Sequence, residues 1–466
     1  MFNLESGNTW IFTGGSNAEG GWHQTKGARN FIGHFEEHIR WEKRNNEYVG
    51  TRERYTINTG RAGQTLEEIN EDFYNLVGVY QPRAVAVFVG KEEYEKGIEG
   101  LEAFEKNLKA FFKKVKAIHA LLVLQTPVPP KEKEDYKQAE AYEQVMIALS
   151  KEEEKIVCID HFHLCIEKGL SYMNGQLDAD GHLEIAKQLS EATIGDFTPF
   201  VLGETVTERS APDAVWEKVE EDPYAKDVKA LVENDKEKAL RWLFLGDSIT
   251  HGALHTHGYD SFPQLLEKYI KGEMGRSKDV FINTAVSGAT TKDQLQNHKA
   301  RFETYKEVAD IVIIMFGTND CVSDVSIEDY KHNLKKIIED VKAVGAIPIL
   351  RAPNPCMDAP GERGRRLIPY IKVIEECAKE EQLILIHHYN QWRQAGNENP
   401  ELIKRGGWIA KGDESSIHPG AVGQLNMFHM AVRRLGISQE TSEIMQLAYK
   451  IELDGKRKGL TSHHRG

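Results

Sequence analysis

The chain has 466 residues, of which 40% are hydrophobic and 28% charged, and its formal net charge is −13. That balance excludes a disordered or collagen-like chain, and at ~100 to 200 residues per domain it predicts two domains or three small ones. The negative charge argues against nucleic acid or an anionic membrane surface as the main partner, because both select basic faces. Neutral or polar small substrates fit better.

In chain order, Met1 to Gly15 lacks the basic stretch and the apolar core of a secretion signal, and the strand-like Trp10-Ile11-Phe12 follows almost at once. No apolar run approaches the ~18 to 20 residues of a bilayer span. The longest, such as Ile311 to Phe316, are strand-sized. The expectation is a soluble chain without membrane insertion. Cys158, Cys165, Cys321, Cys356 and Cys377 give neither a CxxC pair nor an even disulfide framework, which fits a reducing cytoplasm.

The chain then repeats itself, in order. Trp10 to Ser16 with Gly20 matches Trp242 to Ser248 with Gly252, and Asn58 to Thr65 matches Asn283 to Thr290. The apolar run Ala84 to Gly90 pairs with Ile311 to Gly317, Asn107-Leu108 with Asn333-Leu334, and Pro127 to Pro129 with Pro353 to Pro355. Finally Ile159 to His161 answers Ile386 to His388, and His182 answers His418. Each half reads as strand, Gly-rich turn, helix and strand again, with continuously apolar strands. That is the pattern of a parallel sheet buried on both faces. The predicted organisation is a first domain over 1–202, a charged linker and helix over 203–240, and a second domain over 241–466.

In the second half, Leu243 to Leu245 is a buried strand and Gly246-Asp247-Ser248 the turn after it. Ser248 therefore stands at the carboxyl end of a strand and near a helix N-terminus, where open α/β sheets place their sites. Neighbouring N–H groups can stabilise an oxyanion there, and the hydroxyl needs a base to become a nucleophile. His418, in the polar loop Asp413 to Gly420, is the natural candidate.

Gly246-Asp247-Ser248, Gly288, Gly317-Thr318-Asn319-Asp320 and His418-Pro419 together resemble the four blocks of the SGNH (GDSL-type) hydrolases, over about Trp242 to Leu435. The resemblance implies an α/β fold made of two three-layer α/β/α (flavodoxin-like, SGNH-hydrolase) domains in tandem. It implies Ser248 as nucleophile and His418 as general base, then acid. Ser248 N–H, Gly288 N–H and the Asn319 side-chain amide would form the oxyanion hole. The family places its acid three residues before the histidine, and here that residue is Ser415. Asp413 is the expected orienting carboxylate. A Ser-His dyad steadied by a backbone carbonyl is the alternative.

In the first half Ser16, Gly63, Glu92 and His182 are the expected counterparts. Gly15 replaces the aspartate before the serine, and Lys91-Glu92-Glu93 stand where the second half has Thr318-Asn319-Asp320. An ionised Glu92 would repel developing negative charge where a donor is needed, so this half is expected to be a degenerate, non-catalytic copy.

His251, His255 and His257 raise the question of a metal, but no HExxH and no cysteine cluster accompany them. The reading is no metal and no cofactor. His161 with His163, and His387 with His388, sit at strand ends and carry no separate signal. Tyr259, Trp392 and Trp408 are either sugar-stacking residues or core. The expected function is a serine esterase that hydrolyses short-chain esters, acetyl by resemblance, of carbohydrate or other small polar substrates through an acyl-enzyme. A lipid esterase (lysophospholipase-like) or thioesterase is one alternative, and a non-catalytic binding protein is another. Homo-oligomerisation is left open.

Overall fold

In the computed structural model the described residues are 9–449, except 26, 43–52, 154, 171, 174–175, 196, 198–204, 207–218, 253–254, 357–361, 399–407 and 411–416. The chain divides into two compact units, Met1–Pro199 and Phe200–Gly466.

Unit 1 carries strands β1 (Thr9–Gly14), β2 (Tyr55–Asn58), β3 (Ala84–Phe88), β4 (Leu121–Gln125) and β5 (Ile156–Ile159). They pair in parallel in the order β2-β1-β3-β4-β5. Unit 2 carries β6 (Arg241–Gly246), β7 (Val280–Asn283), β8 (Ile311–Met315), β9 (Ile347–Ala352) and β10 (Leu385–His387). They too pair in parallel, in the order β7-β6-β8-β9-β10. Both are the doubly wound 2-1-3-4-5 arrangement, with its crevice beyond the carboxyl ends of the strands. The strands are apolar on both faces because helices cover both: every residue of β1, β3 and β8 is buried.

The helices used below are, in unit 1, α1 (Ser16–Glu19), α2 (Phe31–Glu37), α3 (Leu101–Ala117), α4 (Tyr136–Ser150), α5 (His161–Lys168) and α6 (Ala179–Thr193). In unit 2 they are α7 (Lys226–Glu233), α8 (Ser248–His251), α9 (Phe262–Lys268), α10 (Ile327–Ala343), α11 (Glu362–Glu381) and α12 (Ala421–Arg434). The helices α3 and α10 bury one stripe each at the same spacing: Phe104, Leu108, Phe111, Phe112 and Val115 in one, Tyr330, Leu334, Ile337, Ile338 and Val341 in the other. That is the i, i+4, i+7, i+8, i+11 face of a sheet-covering helix, and each such side chain contributes ~1.5–3 kcal/mol of burial.

The segment expected to be a linker is, from Val219 onward, part of unit 2. Val228 and Val232 of α7 are buried, and the fully buried Arg276 donates to the carbonyls of Val232, Asn234 and Lys238 at the end of that helix. A cation there satisfies orphan carbonyls and complements the helix dipole. Arg276 is held in turn by Asp279, whose carboxylate also accepts the Leu240 N–H and the Trp242 indole N–H. Among the described residues no helix is long and apolar enough to cross a membrane.

Candidate active site

The nucleophile turn of unit 2 begins where β6 ends. Asp247 is the N-cap of α8, and its Oδ1 accepts the Ile249 N–H at 3.0 Å. The next residue, Ser248, is 9% exposed, with its Oγ 2.9 Å from Nε2 of His418. This is hydrogen-bond distance between a hydroxyl and the ring nitrogen that would take its proton. Burial raises the Asp247 carboxyl to about 7, with the Ile249 N–H pulling the other way. At neutral pH a substantial fraction of it is therefore uncharged beside the site.

Three backbone or side-chain ties fix His418. The Ala410 N–H donates to the His418 carbonyl at 2.9 Å within an antiparallel bridge between Ile409 and Pro419, and the Gly420 N–H donates to the Trp408 carbonyl. Asn354 Nδ2 donates to the Ile417 carbonyl at 2.8 Å. Gly423 lets this loop lie on α12, because a Cβ there would run into the Trp408 carbonyl. Gln424, also on α12, joins the base loop to the nucleophile side: Nε2 donates to the Ile249 carbonyl at 3.0 Å and Oε1 accepts the Phe262 N–H at 2.8 Å. Sequence reading missed Asn354 and Gln424; neither offers a signal beyond being polar beside a proline or a glycine.

The His255 ring lies face to face on His418, centroids 3.9 Å apart and planes 7° from parallel. His251 makes a 2.8 Å bond from Nδ1 to Ser287 Oγ, next to Gly288. The expected orienting residue Asp413 lies outside the described residues.

Gly288 adopts φ +85°, which a side chain would disfavour, and Asn319 is half-buried on the neighbouring loop. Among the described residues, no group accepts the N–H of Ser248 or of Gly288. Asn319 Nδ2 donates to the Ala289 carbonyl at 3.1 Å, which leaves its second N–H to spare. The two loops are clipped together by Asp320. Its Oδ1 accepts the Thr291 N–H at 2.8 Å and the Thr291 hydroxyl at 2.6 Å, and its Oδ2 accepts the Gly317 N–H at 3.0 Å.

Below the turn, Arg351 is buried with its guanidinium 3.8 Å over the Phe262 ring, and its Nε donates to His388 Nε2 at 3.0 Å. Burial brings the guanidinium down to about 9 and holds His388 well below the usual imidazole range, so the ring is the neutral acceptor. Tyr259, Trp392 and Trp408 are 6%, 0% and 1% exposed and therefore belong to the core.

Unit 1 has the same strand order and several matching bonds. Asn58 Nδ2 donates to the Ala18 carbonyl and Oδ1 accepts the Gly60 N–H, as Asn283 does with Thr250 and Ala285. The Glu93 carboxylate accepts the Leu66 N–H at 2.7 Å and the Gly90 N–H at 3.0 Å, which is the Asp320 clip in longer form. Gly63 adopts φ +80°. Glu92, however, turns inward, 6% exposed, and its Oε1 accepts the Ser16 N–H at 2.5 Å. A carboxylate thus accepts from the N–H whose counterpart at Ser248 has no acceptor among the described residues.

The pairing of His182 with His418 is overturned by helix register. His182 is the fourth residue of α6, and the fourth residue of α12 is Gln424, whereas His418 precedes its helix. Function follows register: Nδ1 of His182 accepts the Phe31 N–H at 3.4 Å, as Oε1 of Gln424 accepts that of Phe262. Among the described residues no hydrogen bond joins Ser16 to His182, although both line one cavity with Phe31, Phe88, Leu177 and Ile185. It offers ≈ 10 Å³ for the centre of a water-sized sphere, the limit for a single water molecule.

An uncharacterized protein of Mycoplasma pneumoniae is 44% identical over 109 residues, which is 22% of this chain and 12% of that protein. The chain thus matches about an eighth of the length of this curated relative. Among solved structures, the lipase/acylhydrolase from Enterococcus faecalis is 21% identical, covering 46% of this chain and 99% of its own, with a TM-score of 0.34. The acetylxylan esterase Axe2 from Geobacillus stearothermophilus is 20% identical, covering 43% and 95%, with a TM-score of 0.35. Residues 244–425 match the GDSL-like lipase/acylhydrolase family, and with the α/β fold described above they form a GDSL-like (SGNH) acylhydrolase domain.

Proposed function

We propose that unit 2 is a serine esterase that works through an acyl-enzyme, and that unit 1 is its degenerate, non-catalytic copy. The 2.9 Å approach of Ser248 Oγ to His418 Nε2 carries this reading. Ser248 Oγ attacks the ester carbonyl carbon while His418 Nε2 takes its proton. The oxyanion is received by the N–H groups of Ser248 and Gly288 and by the spare N–H of Asn319. His418 returns the proton to the leaving alcohol as the C–O bond breaks, and the same steps with water release the acid. Asp413 orients the ring in this reading.

The substrates in this reading are short-chain esters, acetyl first, of carbohydrate or other small polar alcohols. Two observations support a small acyl group: Ser248 is 9% exposed, and the His255 ring covers one face of His418. The experiment is hydrolysis of p-nitrophenyl acetate, butyrate and octanoate by the full chain, with Ser248→Ala and Ser16→Ala beside it. Acetate-preferring activity should fall roughly 10⁴-fold or more in Ser248→Ala and stay unchanged in Ser16→Ala. Activity rising with acyl length would replace this reading with a lipid esterase. Activity indifferent to Ser248→Ala would end the nucleophile assignment.

A further inference from the structure

The carboxyl end of β5, at the edge of the unit 1 sheet, gathers three side chains of metal-ligating type that the candidate site does not use. Asp160 follows the strand and caps α5: its Oδ1 accepts the His163 N–H at 2.9 Å, which leaves Oδ2 turned toward the His163 ring, 2.9 Å from Nδ1. Glu143 reaches the same ring from α4, with Oε1 3.6 Å from Nδ1. All three ligand atoms lie within 4.8 Å of one another.

Two features separate this cluster from a solvated patch of acids. Glu143 is 1% exposed, and its Oε2 has no hydrogen-bond partner among the described residues. A buried carboxylate oxygen without a donor is costly, which marks a position where a cation or proton belongs. In addition, among the described residues no lysine or arginine forms an ion pair with Glu143 or Asp160, so two carboxylates share one imidazole. The spacing also fits a metal. Tetrahedral zinc at ~2.0–2.1 Å from N and O donors sets its ligand atoms about 3.3 Å apart. The observed 2.9 and 3.6 Å bracket that value.

We propose that Glu143, Asp160 and His163 bind one divalent transition-metal cation, with Zn²⁺ as the reference ion. One imidazole and two carboxylates balance a 2+ charge, and the nitrogen donor favours zinc or its neighbours over magnesium and calcium. The His163 side chain is 55% exposed, so the outer position of the cation faces water. The cation would tie the middle of α4 to the start of α5 and close the free end of the edge strand. Its role is therefore to stabilise unit 1, and it stands apart from the ester chemistry proposed for unit 2.

The test is equilibrium dialysis of the full chain, first stripped with chelator, against Zn²⁺ in the presence of excess Mg²⁺. To separate this site from any zinc taken up elsewhere on the chain, the readout is a difference: Glu143→Gln and His163→Ala should each bind one equivalent fewer than the parent, or bind it about tenfold or more weakly. Both should lose the zinc-dependent rise in the unfolding temperature of unit 1. His163→Ala changes an exposed side chain and guards against a folding defect in Glu143→Gln. Equal stoichiometry and equal affinity in the parent and in both variants would overturn the proposal and leave His163 as a ring hydrogen-bonded between two acids. So would full competition by Mg²⁺.

Discussion

The turns that carry Ser16 and Ser248 are braced by matching bonds, yet they present opposite electrostatic faces. In both, an asparagine after the second strand ties down the first helix, and an acid clips the two loops that flank the serine. In both, a threonine closes a capping box on the following helix, Thr65 with Glu68 and Thr290 with Asp293. The opposite faces come from one side chain: Glu92 puts a carboxylate on the Ser16 N–H, whereas Asn319 brings an amide beside Gly288 in the other unit. Under the proposed function the bracing belongs to the fold and the donor to the chemistry, so the two are separable by substitution.

Transplanting that side chain is the strongest way to break the comparison. Asn319→Glu should remove ester hydrolysis by more than the roughly 10²- to 10³-fold expected of Asn319→Ala, because it adds a charge as well as deleting a donor. Steady-state kinetics checks this, and equal losses in the two variants would mean that the introduced carboxylate points away from the oxyanion. The clips come next. Asp320→Ala leaves the Thr291 and Gly317 N–H groups without their acceptor and should cost unit 2 about 2–4 kcal/mol in denaturant unfolding. Glu93→Ala should destabilise unit 1 comparably without touching hydrolysis.

Asp247 offers a test by pH. Its folded-state value, about 7, lies above the unfolded value of ~3.9, so the folded chain holds this proton more tightly. The stability that this contributes is present below pH ~4 and is lost as pH rises through 7. Asp247→Asn cannot lose it, so the stability of the variant relative to the parent should climb between pH 4 and 7. A flat difference would show that the carboxyl stays ionised throughout. The smallest expected effect is none at all: Glu92→Asn in a Ser248→Ala background should restore no hydrolysis. Its donor would sit above a cavity of ≈ 10 Å³, with no base bonded to Ser16.

The sequence made the strands, the glycine turns and the unit 2 constellation legible because each has a local cause: apolar runs for two-faced burial, and a left-handed position for Gly288. Ser248 and His418 are brought together as the four blocks led one to expect. The His182 match failed for a reason that is also physical. Asp178 accepts the Gly181 N–H at 2.9 Å and so starts α6 before the histidine, whereas in unit 2 the helix waits until after Pro419 and Gly420. Asp178 with glycine three residues on was the available signal, and residue identity outweighed it. The clips made by Asp320 and Glu93 are not legible in the sequence, because a bond between two loops is long-range and has no periodicity of its own. The packing of α7 was hidden for the same reason, since its tie to Arg276 spans more than forty residues.

The close fit of Gly15 against Glu92 couples two positions that are far apart in sequence. A Cβ built on Gly15 would fall inside the Glu92 carboxylate, so a side chain at 15 requires that carboxylate, the far end of a flexible side chain, to swing away. The swing would take Oε1 off the Ser16 N–H. A substitution at 15 is therefore felt at Ser16 through Glu92, and the effects of changes at 15 and 92 should not add.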